Sequence, residues 1–194
     1  ASDVYKRQRY GSVLFMTDQD LDGVHIKGLC INLFQTQWSE LIKIPHFIGF
    51  MNTPIIKAKK GAIEQVFYNQ NEYEEWKKTL TSAQEARWKI KYYKGLGTST
   101  GKEFKEYFQH KRIVYFKYED QTTERSLDLV FDKSKADERK EWLEGYDKTS
   151  VLDTSKTDIS YPEFVHREMI HFSKYDCERN IPSGIDGLKT SQRK

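Results

Sequence analysis

The first apolar run of the chain, Val13-Leu14-Phe15-Met16, has no polar face, the pattern of a strand buried on both sides in a parallel sheet. From Val24 to Ile42 apolar residues return at helical spacing, with Ile26, Cys30, Leu33, Phe34, Trp38 and Leu41 on one stripe. Lys27, Gln35 and Glu40 fall between them, so an amphipathic helix is expected. Phe47 to Lys57 reads as a strand, with Pro54 marking an edge or a bulge, and the basic turn Lys59-Lys60-Gly61 leads into a second strand, Ile63 to Tyr68. Asn71 is placed to cap a short helix carrying Tyr73, Trp76 and Leu80. Trp88 to Tyr93 alternates as a strand, with Trp88, Ile90 and Tyr92 on one face and Lys89 and Lys91 on the other.

Beyond it, Lys102 to His110 predicts a helix that turns Phe104, Tyr107 and Phe108 to a core. Ile113 to Tyr118 and Leu127 to Phe131 read as paired strands around a polar loop. Ser134 stands where it could cap a helix ending at Gly145, with Ala136, Trp142 and Leu143 as its apolar residues. Tyr146 to Asp158 is polar and aperiodic, which reads as a linker and a domain boundary. Pro162 at a first helical position then opens a helix with Phe164, Val165, Met169 and Phe172 at helical spacing.

Strand, turn and covering helix at the start form half of a βαβ unit, so the fold class expected is α/β. The 194 residues are enough for a real core, but only 37% are hydrophobic and 31% are charged, which leaves much of the surface wet or open to a partner. A net charge of +3 does not declare nucleic-acid binding; the distribution of charge has to carry that argument. Cys30 and Cys177 are far apart in sequence, as suits a reducing compartment. No stretch is long and apolar enough for a transmembrane helix, and no signal peptide, internal repeat or low-complexity tract is visible.

The chemistry concentrates just past the first strand, in Thr17-Asp18-Gln19-Asp20-Leu21-Asp22-Gly23. In extended chain, Asp18, Asp20 and Asp22 point the same way, beyond a strand's C-terminal end, where open α/β sheets place their ligands. Three neighbouring carboxylates repel one another unless a cation sits among them, and hard Mg²⁺ suits oxygen ligands. A solvated acidic turn is the plain alternative. An EF-hand is excluded, because its twelfth position falls on Leu29 and a strand precedes the loop. A second segment, Lys94-Gly95-Leu96-Gly97-Thr98-Ser99-Thr100-Gly101-Lys102-Glu103, puts two glycines after a strand and spaces Thr100 and Glu103 as a capping box. Its backbone N–H groups could receive a phosphate, or it could be a structural turn; it is not a P-loop, since Glu103 replaces the required hydroxyl. Arg139 and Lys140 lie on a charged helix face that could equally be laced with internal ion pairs. His166 and His171 are five apart and suit packing or surface roles better than a shared metal.

Met16 to Leu29 closely resembles the acidic motif of the TOPRIM domain in eukaryotic type IIA DNA topoisomerases. Tyr92-Tyr93-Lys94-Gly95-Leu96-Gly97-Thr98-Ser99 resembles a second hallmark of these enzymes, Asp137 to Leu143 a third segment, and Ile181 to Lys194 the approach to their winged-helix domain. Thr190 stands where the family has proline after the lysine, and a threonine can cap the helix start instead. The likeness is collinear from Arg9 to Lys194. It implies a TOPRIM-like, Rossmann-like parallel sheet with helices, an α+β extension and the beginning of a winged-helix domain. Residues 1–8 are then a leader of doubtful origin, 9–57 a partial TOPRIM domain, 58–145 its extension, 146–158 the linker and 159–194 the winged-helix start.

The resemblance further implies Mg²⁺ held by Asp18 and Asp20, with Asp22 completing the metal residues either as outer support or among the ligands of a second metal, and DNA-backbone contacts from Lys94, Arg139, Lys140, Lys189, Arg193 and Lys194. It implies double-stranded DNA as partner, a homodimeric, ATP-dependent enzyme in the nucleus, and no membrane. The family's tyrosine nucleophile lies beyond Lys194, its TOPRIM glutamate before this chain, and its ATPase domain elsewhere. The isolated chain is therefore expected neither to cleave nor to relax DNA. A non-catalytic Mg²⁺-dependent DNA-binding remnant, or a TOPRIM nuclease or primase relative, is the alternative.

Overall fold

The computed structural model describes residues 10–93 and 95–193. Strand β1 (Val13–Phe15) enters the acidic turn, and helix α1 (Leu21–Gln37) follows directly. After a short 3-10 turn, Leu41–Lys43, strand β2 (Ile48–Met51) pairs parallel with β1, Val13 opposite Ile48 and Phe15 opposite Phe50. This is the expected βαβ half-unit. Strand β1 is half-buried rather than buried on both sides, because it forms one edge of a four-stranded sheet.

The strand expected from Phe47 to Lys57 is two strands in two sheets. Pro54, which has no N–H to donate, lies between β2 and β3 (Ile56–Lys60), and there the chain leaves the first sheet for the second. Strand β4 (Ile63–Phe67) returns antiparallel after a turn through Gly61 at φ +59°. Helix α2 (Gln70–Lys78) is capped by Asn69, whose side chain accepts from Glu72 N at 2.8 Å; the expected cap, Asn71, lies inside the helix. The short helix α3 (Ser82–Glu85) leads to β5 (Lys89–Tyr92), which pairs antiparallel with β3. Ile56, Ala58, Phe67 and Tyr73 form the small core of this half, with Trp76 and Trp88 packed against it.

Helix α4 (Gly101–Gln109) carries the expected capping box, and β6 (Ile113–Lys117) returns to the first sheet antiparallel to β2. The segment expected as β6's partner strand is helical: α5 (Asp120–Phe131) buries Thr123, Ser126 and Leu127, a helical and not a two-residue period. The partner is instead β7 (Asp158–Ser160), parallel to β6, giving the sheet order β1-β2-β6-β7. Asp132, not Ser134, accepts the cap bond, from Ser134 N, ahead of a 3-10 turn and helix α6 (Ala136–Glu144), which ends at Gly145. Within the aperiodic segment 146–158, Leu152 is buried in the main core and Thr157 accepts a ladder bond from Tyr115 N at 2.8 Å.

The last helical run opens with a capping box made by Ser160 and Glu163 and has three parts: α7 (Tyr161–Phe164), a π-helical turn over Val165–Met169, and α8 (Ile170–Asn180). Tyr161, Phe164, Val165 and Met169 pack onto Phe50, Val114 and Phe116 of the sheet and onto Ile31 of α1 in one core. The inward face of α1 is Val24, Lys27, Gly28 and Ile31, whereas Ile26, Leu29, Leu33 and Trp38 stay exposed. Apolar residues surround this helix, so periodicity could not phase it. The phase is set at Gly28, where an added Cβ would lie 2.8 Å from Met169 Sδ.

Candidate functional site: the acidic turn and the glycine loop

The pairing register explains how two distant motifs meet. Strand β5 runs antiparallel to β3, with Tyr92 opposite Ile56 and Tyr93 N donating to Ile55 O at 2.9 Å. The residues following Tyr93 therefore arrive where the chain has just left β2, beside the C-terminal end of β1. There Leu96 N donates to Asp18 Oδ1 at 2.5 Å, across 78 positions of sequence. Gly95 has φ +155°, and a Cβ on it would lie 2.8 Å from Asp18 Cγ, so glycine alone permits this approach.

The three aspartates have three different environments. Asp18 sits in the irregular segment between β1 and α1, under the glycine loop. Asp20, with extended backbone, is the N-cap of α1 and accepts from Gly23 N at 2.8 Å. Asp22 is already in the helix. Two residues along a helix turn a side chain about 200°, so it does not continue the side of Asp18 and Asp20 that an extended chain would give. Arg179 of α8 forks onto it instead, at 3.1 and 3.4 Å, while also holding Asp176 at 2.8 Å. Gly23 is fixed by the turn itself, since a Cβ there would fall 2.0 Å from Asp18 O.

Among the described residues, no three His, Cys, Asp or Glu side chains come together as a metal-holding group. Asp18 and Asp20 each have one oxygen fixed by a backbone N–H, and among the described residues the Oδ2 of each takes no hydrogen bond. Two oriented carboxylates fit the habit of Mg²⁺, which takes one or two carboxylates and fills its octahedron with water and phosphate. An open cavity of about 530 Å³ borders the turn, lined by Gln19, Asp20, Tyr146, Lys148, His171 and Tyr175 among others.

Behind the glycine loop stands Glu103. Its carboxylate accepts from Thr100 N at 2.7 Å, Thr100 Oγ1 at 2.9 Å, Lys91 Nζ at 2.8 Å and the Tyr93 hydroxyl. Burial works against the charge, but the bonds from Lys91, Thr100 and Tyr93 outweigh it and pull the carboxyl down to about 2. The Tyr93 hydroxyl is pushed well above the usual phenol range, by burial first and then by its bond to Glu103.

Of the basic residues expected on DNA, Lys94 and Lys194 lie outside the described residues. Arg139 donates to Leu129 O at 3.0 Å and Asp132 O at 2.5 Å, so its guanidinium closes the C-terminal end of α5. Lys140 is exposed and pairs with Asp137 at 2.6 Å, and Arg193 pairs with Asp186 at 2.6 Å. Lys189 lies at the start of the 3-10 turn Thr190–Gln192, its N–H bound to Gln192 Oε1. His166 accepts from Trp142 Nε1 at 3.0 Å and faces Ser126, and burial lowers its basicity; His171 bridges Tyr146 and Ser150 O.

Three features escaped the sequence pattern. Lys27, expected on the polar face of α1, is 1% exposed, with Nζ 3.1 Å from Glu168 Oε1 and 4.3 Å from the Phe50 ring centre. Arg179 carries no motif of its own, and its contact with Asp22 exists only in the fold. Glu103 was legible as a helix cap but not as the anchor of Tyr93 and Lys91.

Comparison with known proteins gives a consistent picture. Residues 51–177 match the TOPRIM_C family, the C-terminal associated domain of TOPRIM. DNA topoisomerase 2 of Plasmodium falciparum is 45% identical over 195 residues, covering 99% of this chain and 14% of that protein. Human DNA topoisomerase 2-alpha is 42% identical over 206 residues, covering 99% and 13% respectively. The crystal structure of the Plasmodium falciparum topoisomerase II DNA-binding, cleavage and re-ligation domain superposes with a TM-score of 0.85 at 44% identity, over 95% of this chain and 25% of that one. The chain thus spans about a seventh of the length of the curated relatives it matches.

Proposed function

From the premise that this chain belongs to the TOPRIM_C family and is a type II topoisomerase cleavage-domain segment, we propose that it supplies metal-binding acids and DNA-backbone contacts for transient double-strand cleavage, strand passage and religation. The observation that carries this reading is the seating of Gly95 and Leu96 on the Asp18 carboxylate. It joins the acidic turn and the glycine loop, the two motifs that resemble the family most specifically.

Asp18 and Asp20 would hold Mg²⁺, and Asp22, clasped by Arg179, supports the turn from behind. Bound there, the metal would offset charge on the non-bridging and leaving oxygens of a phosphodiester. The chain's own groups orient that site: Leu96 N–H and Gly23 N–H fix one oxygen each of Asp18 and Asp20, the latter as the N-cap of α1. The nucleophilic tyrosine and the ATP site belong, in this reading, to other parts of the longer enzyme, a nuclear homodimer acting on double-stranded DNA. Lys94, Lys140, Lys189, Arg193 and Lys194 are proposed to meet phosphates, which position DNA without reading its sequence. Arg139 acts one step removed, by holding the end of α5.

The test is Asp18→Ala in the full-length enzyme that carries this segment. Mg²⁺-supported DNA cleavage should be lost while binding of a short duplex stays within about threefold, since no phosphate contact is removed. Undiminished cleavage would take Asp18 out of the metal site.

A further inference from the structure

Glu103 ties down both flanks of the loop that meets Asp18. Tyr93, just before the loop, donates its hydroxyl to the carboxylate, and Thr100, just after it, donates both N–H and hydroxyl. Lys91 holds the same carboxylate from β5 at 2.8 and 3.0 Å, and the group is only 16% exposed. Within this bracket, Thr98 Oγ1 closes onto Gly95 O at 2.7 Å, and Leu96 N–H reaches Asp18. A short loop fixed at both ends to one anion has few other conformations. Its grip on Asp18 thus depends on that anion.

We propose that Glu103 is a positioning residue for Asp18, acting through the Gly95–Leu96 backbone and touching neither metal nor DNA. Resting on the reading of Asp18 as a Mg²⁺ ligand, the inference gives Glu103 a defined task. By holding Leu96 N–H against Oδ1, it sets the direction in which Asp18 offers Oδ2.

The experiment uses the 194-residue chain, with amide hydrogen exchange read by NMR and Mg²⁺ titrated by calorimetry. Glu103→Ala should speed exchange at the Leu96 amide about tenfold or more and weaken Mg²⁺ binding several-fold, with the Phe50 and Phe116 amides unchanged. Glu103→Gln, whose one carbonyl oxygen can still accept from the Thr100 N–H and hydroxyl but carries no charge for Lys91, should restore part of both, and Tyr93→Phe, which frees one flank only, should likewise fall between the parent and the alanine variant. Unchanged Leu96 exchange in Glu103→Ala, or in Tyr93→Phe if the alanine variant does not fold, overturns the proposal. So does a rise shared with Phe50 and Phe116, which would make Glu103 a general stability residue. Asp18→Asn separates the two readings: if it leaves Mg²⁺ binding intact, the metal assignment falls, while Leu96 exchange still decides the role of Glu103.

Discussion

At the scale of single residues, one buried charge, Lys27, and one half-buried charge, Glu103, are each held by several partners. Lys27 is surrounded by Phe50, Phe164 and the Glu168 carboxylate, and Glu168 Oε2 is buried without a partner among the described residues. Removing one member of such a pair strands the other in a medium that solvates it poorly. Glu168→Ala should therefore cost about 3–5 kcal/mol, while the apolar double replacement Lys27→Met with Glu168→Leu should cost far less. Urea denaturation midpoints check this, and a loss below about 1 kcal/mol in the alanine variant would show that water reaches the ammonium. Glu103 titrates at about 2 in the folded chain, against 4.5 ordinarily. Its folded value is depressed, so its share of stability is complete above about pH 4.5 and drains away as the pH falls towards 2. Stability measured across that window should fall less steeply in Glu103→Gln than in the parent chain.

At the scale of elements, helix starts were readable to within two residues, and helix phase was the least legible feature. Thr100 with Glu103 makes the box the spacing announces. Ser160 and Glu163 close another at α7, with Ser160 only 4% exposed. Ser160→Ala should lower stability by about 1 kcal/mol, because α7 carries Tyr161 and Phe164 into the main core. Thr81→Ala, capping the four-residue α3 with no buried residue, should scarcely move the thermal midpoint. By contrast, α1 has apolar residues on both sides, so the stripe read from Ile26 and Leu33 faces outward. Leu127–Phe131 was ambiguous for a related reason: a short apolar run suits strand or helix equally, and here Thr123 and Leu127, four apart, complete a helical face.

At the scale of the whole molecule, Pro54 marks the passage from one sheet to the other. The chain leaves β2 there for a second sheet, whose β5 brings the glycine loop back to the end of β1. What results is one half of a chemistry: oriented acids beside a glycine loop, in a chain that spans 13% of human DNA topoisomerase 2-alpha. The 194 residues alone should leave supercoiled plasmid unchanged with Mg²⁺ and ATP, as read from topoisomer ladders on a gel. Relaxed plasmid or protein-linked breaks would show that a tyrosine of this chain can serve as nucleophile.

The amino-acid sequence determined what depends on near neighbours. Residue types and short spacings mark the acidic turn, the glycine loop, the capping box at Thr100 and the turn at Gly61, because caps and turns are made within four or five positions. Tertiary structure alone decided which side of α1 is buried, that Lys27 lies inside, that Arg179 holds Asp22, and that Leu96 meets Asp18. Those outcomes rest on strand register and side-chain packing between residues scores of positions apart, and no local period along a chain encodes them.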